Sequence, residues 1–296
     1  MDTGSNWFAP GGRTHALLGV KSGVTDHMII ESGGTSTQFG NLTVNRTSQP
    51  ACYHSETRGI THCGYSGGNY NTIDYFTFET AGNAVDFGDS TQARHGVTGM
   101  QNTVRGVGAG GHNGGHVNTM DYVTMATTGN GTDFGNMTIS SHLRGSVSNN
   151  TRGVMYKGDN GASTHYNTID YITIATTGNA TDFGDTTGRG YGYQGASDAS
   201  KGVFPPYYNA NTVDTLIETV AIMTPANATT FGSFTDTSRI SSVDNAVIAV
   251  SGRSSTSYTT LEVLTIQTNA DATSFGGTLR EGKNGQFHDS CIAKDT

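Results

Sequence analysis

Cysteine is scarce. Three in 296 residues cannot staple a fold of this size, and the reading is of reduced thiols. Cys52 and Cys63, the closest pair, are expected on different strands of neighbouring repeats. Charge is sparse too, at 14% of residues with a formal net charge of −8. Without a basic run, the chain offers no phosphate-binding surface, and no nucleic-acid partner is expected. No apolar stretch approaches the length of a membrane span, so no membrane insertion is expected. Residues 1–12 lack the basic and hydrophobic regions of a secretory signal, which points to a protein kept in the cytoplasm where it is made or released by lysis. Signatures of catalysis are missing as well: no serine nucleophile elbow, phosphate loop, zinc-protease helix or legible pair of catalytic acids. The expectation is a non-enzyme with no cofactor and no metal.

What the chain has in abundance is glycine, 42 residues, together with threonine and asparagine. Thr, Val, Ile, Tyr and Phe suit pleated strands, and Gly and Asn suit turns. The order is periodic. Phe-Gly recurs at Phe39, Phe87, Phe134, Phe183, Phe231 and Phe275, at intervals of 48, 47, 49, 48 and 44 residues. Such a period marks a repeat architecture.

One unit suffices to read the rest. From Arg152, strands are expected at 153–157, 167–176, 181–186 and 190–195. A Gly-Asn turn (TAGNA 80–84, TTGNG 127–131, TTGNA 176–180) joins the second to the third. In Ile169, Tyr171, Ile172 and Ile174, apolar side chains point to both faces, as in a sheet held between two neighbours. Four antiparallel strands repeated in this way predict a six-bladed β-propeller. Its repeats run at about 14–57, 58–104, 105–151, 152–200, 201–244 and 245–290, preceded by an arm at 1–13 and followed by a tail at 291–296. Both ends are read as completing whole blades, with ring closure resting on blade packing. The arm, which carries Trp7, is a candidate extra outer strand.

A carboxylate recurs on the second strand of each unit: Asp26, Asp74, Asp121, Asp170, Asp214 and Glu262. Six equivalents suit one hydrogen bond within each blade, repeated six times, better than a catalytic site. Arg58, Arg105, Arg152 and Lys201 recur before the first strand and are read as solvated or paired with those acids. The opposite end is built from the loops between strands one and two and between strands three and four, where the repeats diverge. It gathers Tyr70, His112, His116, His165, Tyr166, Tyr207, Tyr208 and Tyr258. Aromatic rings with polar tips suit protein or sugar contacts, and loops under weak constraint explain them equally. The four-residue offset of His112 and His116 fixes no metal geometry in a glycine-rich loop.

The unit NTIDYITIATTGNATDFGD at 167–185 resembles the kelch-like tandem repeats of virion proteins from tailed, especially marine, bacteriophages. The likeness is strongest over 58–190. It implies a propeller in the virion, in the tail or fibre apparatus or decorating the particle. Its implied partners are other virion proteins and a host-surface glycan or protein, and it implies no catalytic residues. A lectin-like glycan-binding module is the alternative, and a polysaccharide-hydrolysing propeller stands behind it.

Overall fold

The computed structural model describes residues 15–292 apart from 22, 30–36, 47–49, 79, 162–164, 193, 207, 210–211, 214, 235–237, 244–245, 252–257, 272 and 284–290. The arm at 1–13, Tyr207 and Asp214 lie outside the described residues. Within them the chain is all β, and no helix is long and apolar enough to cross a membrane.

Six four-stranded antiparallel sheets follow one another along the chain in a propeller-like arrangement. Sheet 4 shows the pattern: Gly145–Ser148, Arg152–Tyr156, Thr168–Thr173 and Thr181–Asp185 pair in that order. Sheets 2 and 3 repeat it at Ala51–His54 to Val85–Asp89 and Thr98–Gln101 to Thr132–Asn136. Sheet 5 begins at Ala196–Ser197 and sheet 6 at Ser238–Val243. The Phe-Gly strand is the last of every sheet.

This order moves the repeat boundaries. The weak strand expected to close the fourth repeat is instead Ala196–Ser197, the first strand of sheet 5, paired with Lys201–Phe204. The cause is a side-chain-capped hairpin before each basic residue. Asn102 Oδ1 accepts from the amides of Val104 and Arg105, Asn149 Oδ1 from Thr151 and Arg152, and Asp198 Oδ1 from Ser200 and Lys201. The hairpin ties the preceding strand to the basic one, so a sheet starts one strand earlier than the unit read from the sequence.

The shift leaves sheet 1 short of a strand, and the far end of the chain supplies it. Cys291–Ile292 pairs antiparallel with His15–Lys21, Leu17 opposite Cys291, ahead of Val24–Ile29 and Thr37–Asn41. The expected tail therefore contains a strand, and the two ends share a sheet rather than each completing its own. First strands also neighbour one another in sequence. Ala51–His54 lies beside Thr98–Gln101, then come Gly145–Ser148, Ala196–Ser197, Ser238–Val243 and Cys291–Ile292, and the last returns to Ala51–His54.

The apolar core is divided into layers between successive sheets. Tyr53, Ile60, Ile73 and Phe87 of sheet 2 pack on Val123 and Met125, and Val107, Met120 and Phe134 of sheet 3 on Met155, Ile172 and Ile174. Val154, Ile169 and Phe183 meet Phe204, Val220 and Ile222 in the next layer. Phe39 and Phe231 fill the corresponding layers of sheets 1 and 5. Phe275 lies on the last strand of sheet 6.

The two repeated turn motifs meet each other. A Cβ on Gly88 would stand 2.5 Å from Gly129 O, and one on Gly135 2.4 Å from Gly178 O, each carbonyl belonging to the turn of the next sheet. The turn's Gly129 N donates to Phe87 O at 2.8 Å, and Asn130 Oδ1 accepts from Asp89 N at 3.0 Å. The same amide-to-backbone bond recurs from Asn136 to Asn179 and from Asp185 to Asn227, each at 3.0 Å. Glycine in Phe-Gly is thus required by close approach and, at Gly88, by a φ of 142°. In the turn the working residue is the asparagine. Ala226 and Ala270 stand where the other turns carry glycine.

Candidate functional site

The recurrent carboxylates sit on the third strand of each sheet, at one register. Asp74, Asp121 and Asp170 face Asp86, Asp133 and Asp182 on the Phe-Gly strand. In sheet 5 that register belongs to Glu218, opposite Thr230, and not to Asp214. Glu218 stands 13 residues before Phe231, the spacing at which Asp74, Asp121 and Asp170 precede Phe87, Phe134 and Phe183, and the ribbon Tyr208–Asn209 with Thr212–Val213 lies in the connection before its strand. Asp26 and Glu262 hold the register in sheets 1 and 6.

The acids of sheets 2 to 5 join successive sheets. Asp121 accepts from Arg94 Nη2 at 2.8 Å, from Thr91 Oγ1 at 2.6 Å and from Ser90, all on the segment arriving from sheet 2. Asp74 takes Arg46 and Thr43 in the same way, and Asp170 takes Arg144 at 2.5 Å and Thr138 at 2.6 Å. Glu218 is served by Thr187 and by Lys157 Nζ at 2.7 Å. Lys157 reaches it from a left-handed position, φ 57°, equivalent to Cys63 and Gly110 in the two sheets before. Both partners of every pair are buried. The bond expected within each blade is instead made between sheets, as a buried ion pair in sheets 2 to 5. Its sequence signal was available: a threonine four residues after each of the first four Phe-Gly phenylalanines.

The recurrent basic residues do not pair with these acids. Arg58, Arg105 and Arg152 lie over the rings of Tyr75, Tyr122 and Tyr171 at 4.5, 4.4 and 4.3 Å, and Lys201 lies over Phe231 at 5.5 Å. They also donate to the next sheet, Arg105 to Ala175 O at 2.8 Å for example. A cation on an aromatic face that also caps turn carbonyls is a packing element.

Buried against this framework, His62 is neutral. Burial lowers its pKa to about 3, Arg94 and Arg46 push the same way, and the nearby Asp121 opposes them. Tyr53 Oη bonds its Nδ1 at 3.0 Å. Cys52 and Cys63 are buried thiols, not disulfide-bonded, on adjacent strands of one sheet and not on neighbouring repeats. Burial raises the Cys63 thiol above its ordinary pKa, which disfavours the reactive thiolate.

The loop-rich end is different. His112 and His116 converge there with His95 and His142, which the sequence reading did not single out. Ring centroids are 5.2 Å apart for His95–His112, 4.9 Å for His112–His116, 5.9 Å for His112–His142 and 4.6 Å for His116–His142. The backbone makes this cluster. His95, His112 and His116 bridge one another beyond the end of sheet 3, while His142, Asp159 and His165 do the same beyond sheet 4. Sheet 2 contributes Asn69, whose Oδ1 meets His95 Nδ1 at 2.7 Å, and Tyr65, 39% exposed with its ring 5.1 Å from that of His95. His95 and His142 lie 47 residues apart, one repeat length, which is the signal that could have found them.

The other candidates divide. His165 packs on Tyr191 at 5.0 Å, and Tyr166 next to it and Tyr70 next to Asn69 are half-buried. Tyr208 lies in the ribbon, and Tyr258 begins the strand Tyr258–Thr265 rather than lying in a loop. Two nitrogens of the cluster are committed locally, His142 Nδ1 to Asp159 O at 3.2 Å and His112 Nδ1 to Gly114 N at 3.3 Å, while His116 Nε2 is buried without a hydrogen-bond partner. Among the described residues no set of three or more His, Cys, Asp or Glu converges to hold a metal ion. Burial lowers the pKa of His95 to about 4, with His112, His142 and His116 adding repulsion, and burial likewise lowers His116 and His142. The cluster is a half-exposed surface of imidazole and phenol rings in which burial disfavours the charged forms of His95, His116 and His142. The chain matches no known protein-family model and no curated protein sequence.

Proposed function

We propose that the six sheets close into a six-bladed β-propeller, with the C-terminal strand completing the first blade, and that the protein is a non-enzymatic docking component of a phage particle. One observation carries the non-enzymatic reading: the repeated chemistry is spent inside the scaffold. The described third-strand acids of sheets 2 to 5 are buried and paired, and the recurrent cations of those sheets lie over aromatic rings. What stays half-exposed and unrepeated is the His- and Tyr-bearing end of sheets 2 to 4, a surface suited to recognition. The likeness of the repeat unit to kelch-like virion proteins supports the tail, the fibre or the particle surface as its place and other virion proteins as its partners. Multivalent display lets weak contacts suffice.

A glycan-binding reading draws on Tyr65, an exposed ring beside Asn69 and His95. Co-sedimentation of the purified protein with intact particles separates the two. Retention by particles, weakened in Tyr65→Ser, supports docking. Binding on a glycan array with no particle retention supports the second reading, and a protein that stays free in both assays contradicts the proposal.

A further inference from the structure

We infer that the four-imidazole cluster is an acid-sensitive latch that holds the loop-rich ends of sheets 3 and 4 together when neutral and releases them when protonated. The inference deepens the docking reading by giving that surface a regulation, and it rests first on geometry. Four rings from two sheets stand 4.6 to 6.2 Å from one another across the measured contacts. They sit over a short set of hydrogen bonds linking the two loop ends: Leu143 N to Gly96 O and Gly111 N to Ser141 O, both at 3.0 Å. Within each end, His112 N donates to His95 O at 2.8 Å and His142 N to Asp159 O at 3.1 Å. The contact is close-packed. A Cβ on Gly96 would stand 3.1 Å from the His142 side chain, and one on Gly161 2.6 Å from His116 Cε1.

The surroundings offer little to absorb positive charge. Facing the cluster are Tyr65 from sheet 2 and the buried carboxylate of Asp159 from sheet 4, already bonded to Gly161 N at 2.9 Å. His165, paired with Tyr191, lies beyond Asp159. Arg94 and Arg144, one and two residues along the chain from His95 and His142, are committed to Asp121 and Asp170. One carboxylate offsets one imidazolium at most, so a second and third proton bring like charges together in a half-buried site.

The sign follows from burial. Folding lowers His95, His116 and His142 from the ordinary 6.5, to about 4 for His95, so the loosened state binds more protons than the closed one. The latch contributes fully above pH 6.5 and weakens progressively as pH falls from there toward 4. Its release exposes the backbone beneath the docking face while the apolar layers between sheets, which contain no imidazole at that end, stay packed.

Amide hydrogen exchange on the isolated protein, corrected for intrinsic pH dependence, reads the release directly. The amides of Gly111, His112, His142 and Leu143 are expected to lose about tenfold in protection between pH 7 and 4.5, while those of Val154 and Ile169 hold theirs. In H116Q/H142Q the acid dependence of the loop amides is expected to shrink to the part that His95 carries. Equal acid dependence in the double variant, or loop amides that open only with the whole fold, overturns the inference. Should the double variant not fold, an NMR titration of the wild-type imidazoles decides. Midpoints for His95, His116 and His142 below the ordinary range support the latch, and midpoints at about 6.5 or above overturn it. Neither measurement uses particles, so failed particle docking leaves the latch standing, and a failed latch leaves docking standing.

Discussion

Asp121→Ala is expected to lower the unfolding free energy by about 3–5 kcal/mol, the cost of leaving a buried charge without its partner. The Arg94 side chain is fully buried, and with the carboxylate gone its Nη2 loses its acceptor while Ser90 and Thr91 lose theirs. Nη1 keeps Thr119 O at 3.1 Å, which orients the guanidinium without neutralising it. Against the 5–15 kcal/mol of a typical folded protein, this is a large fraction. The urea midpoint at pH 7 measures it. The double variant R94M/D121L is expected to recover much of the loss, because apolar replacement of both partners removes the stranded charge as well as the pair. A double variant no better than Asp121→Ala alone would show that the ion pair contributes through something other than mutual neutralisation.

Gly88→Ala is the second large effect, expected at about 2–4 kcal/mol from strain and a lost hydrogen bond. The added methyl would stand 2.5 Å from Gly129 O, a backbone atom that cannot rotate away, at a φ of 142° that side chains rarely adopt. The bond from Gly129 N to Phe87 O, 2.8 Å, lies at the same contact. Gly129→Ala on the facing turn is the control. Its Cβ meets nothing within 4 Å, and its expected change is within about 0.5 kcal/mol. Urea midpoints of the pair test whether glycine is needed on the Phe-Gly side alone.

Those two glycines also show what the sequence could and could not reveal. Phe-Gly and Gly-Asn were both legible as beats of a repeat, and the number of beats equals the number of four-stranded sheets. That they dock on one another across a junction was not legible, because the contact joins residues about 41 apart that periodicity alone assigns to separate tasks. The boundaries were missed for a related reason. A period fixes spacing but not phase, and phase is set by the capped hairpins at Asn102, Asn149 and Asp198. Correct phase demands a missing strand in sheet 1, which makes the pairing of Cys291–Ile292 with His15–Lys21 intelligible. Glu218, not Asp214, was legible by count: the acid stands 13 residues before the Phe-Gly phenylalanine in every repeat, and from Phe231 that count reaches Glu218. The loop-end candidates were half legible. Divergent loops drew attention to His112 and His116, while His95 and His142, in the connections after the Phe-Gly strands at the same end, were passed over.

The central claim is that the chain closes on itself through its C-terminal strand, and one cross-link tests it most directly. Leu17 and Cys291 stand opposite each other on adjacent antiparallel strands, a spacing that a disulfide can span. In a Leu17→Cys variant, mild oxidation followed by peptide mapping is expected to find residues 17 and 291 joined within a monomer. Buried Cys52 and Cys63 should remain unmodified. A variant that stays reduced at both positions, or links only between molecules, would contradict the closed ring.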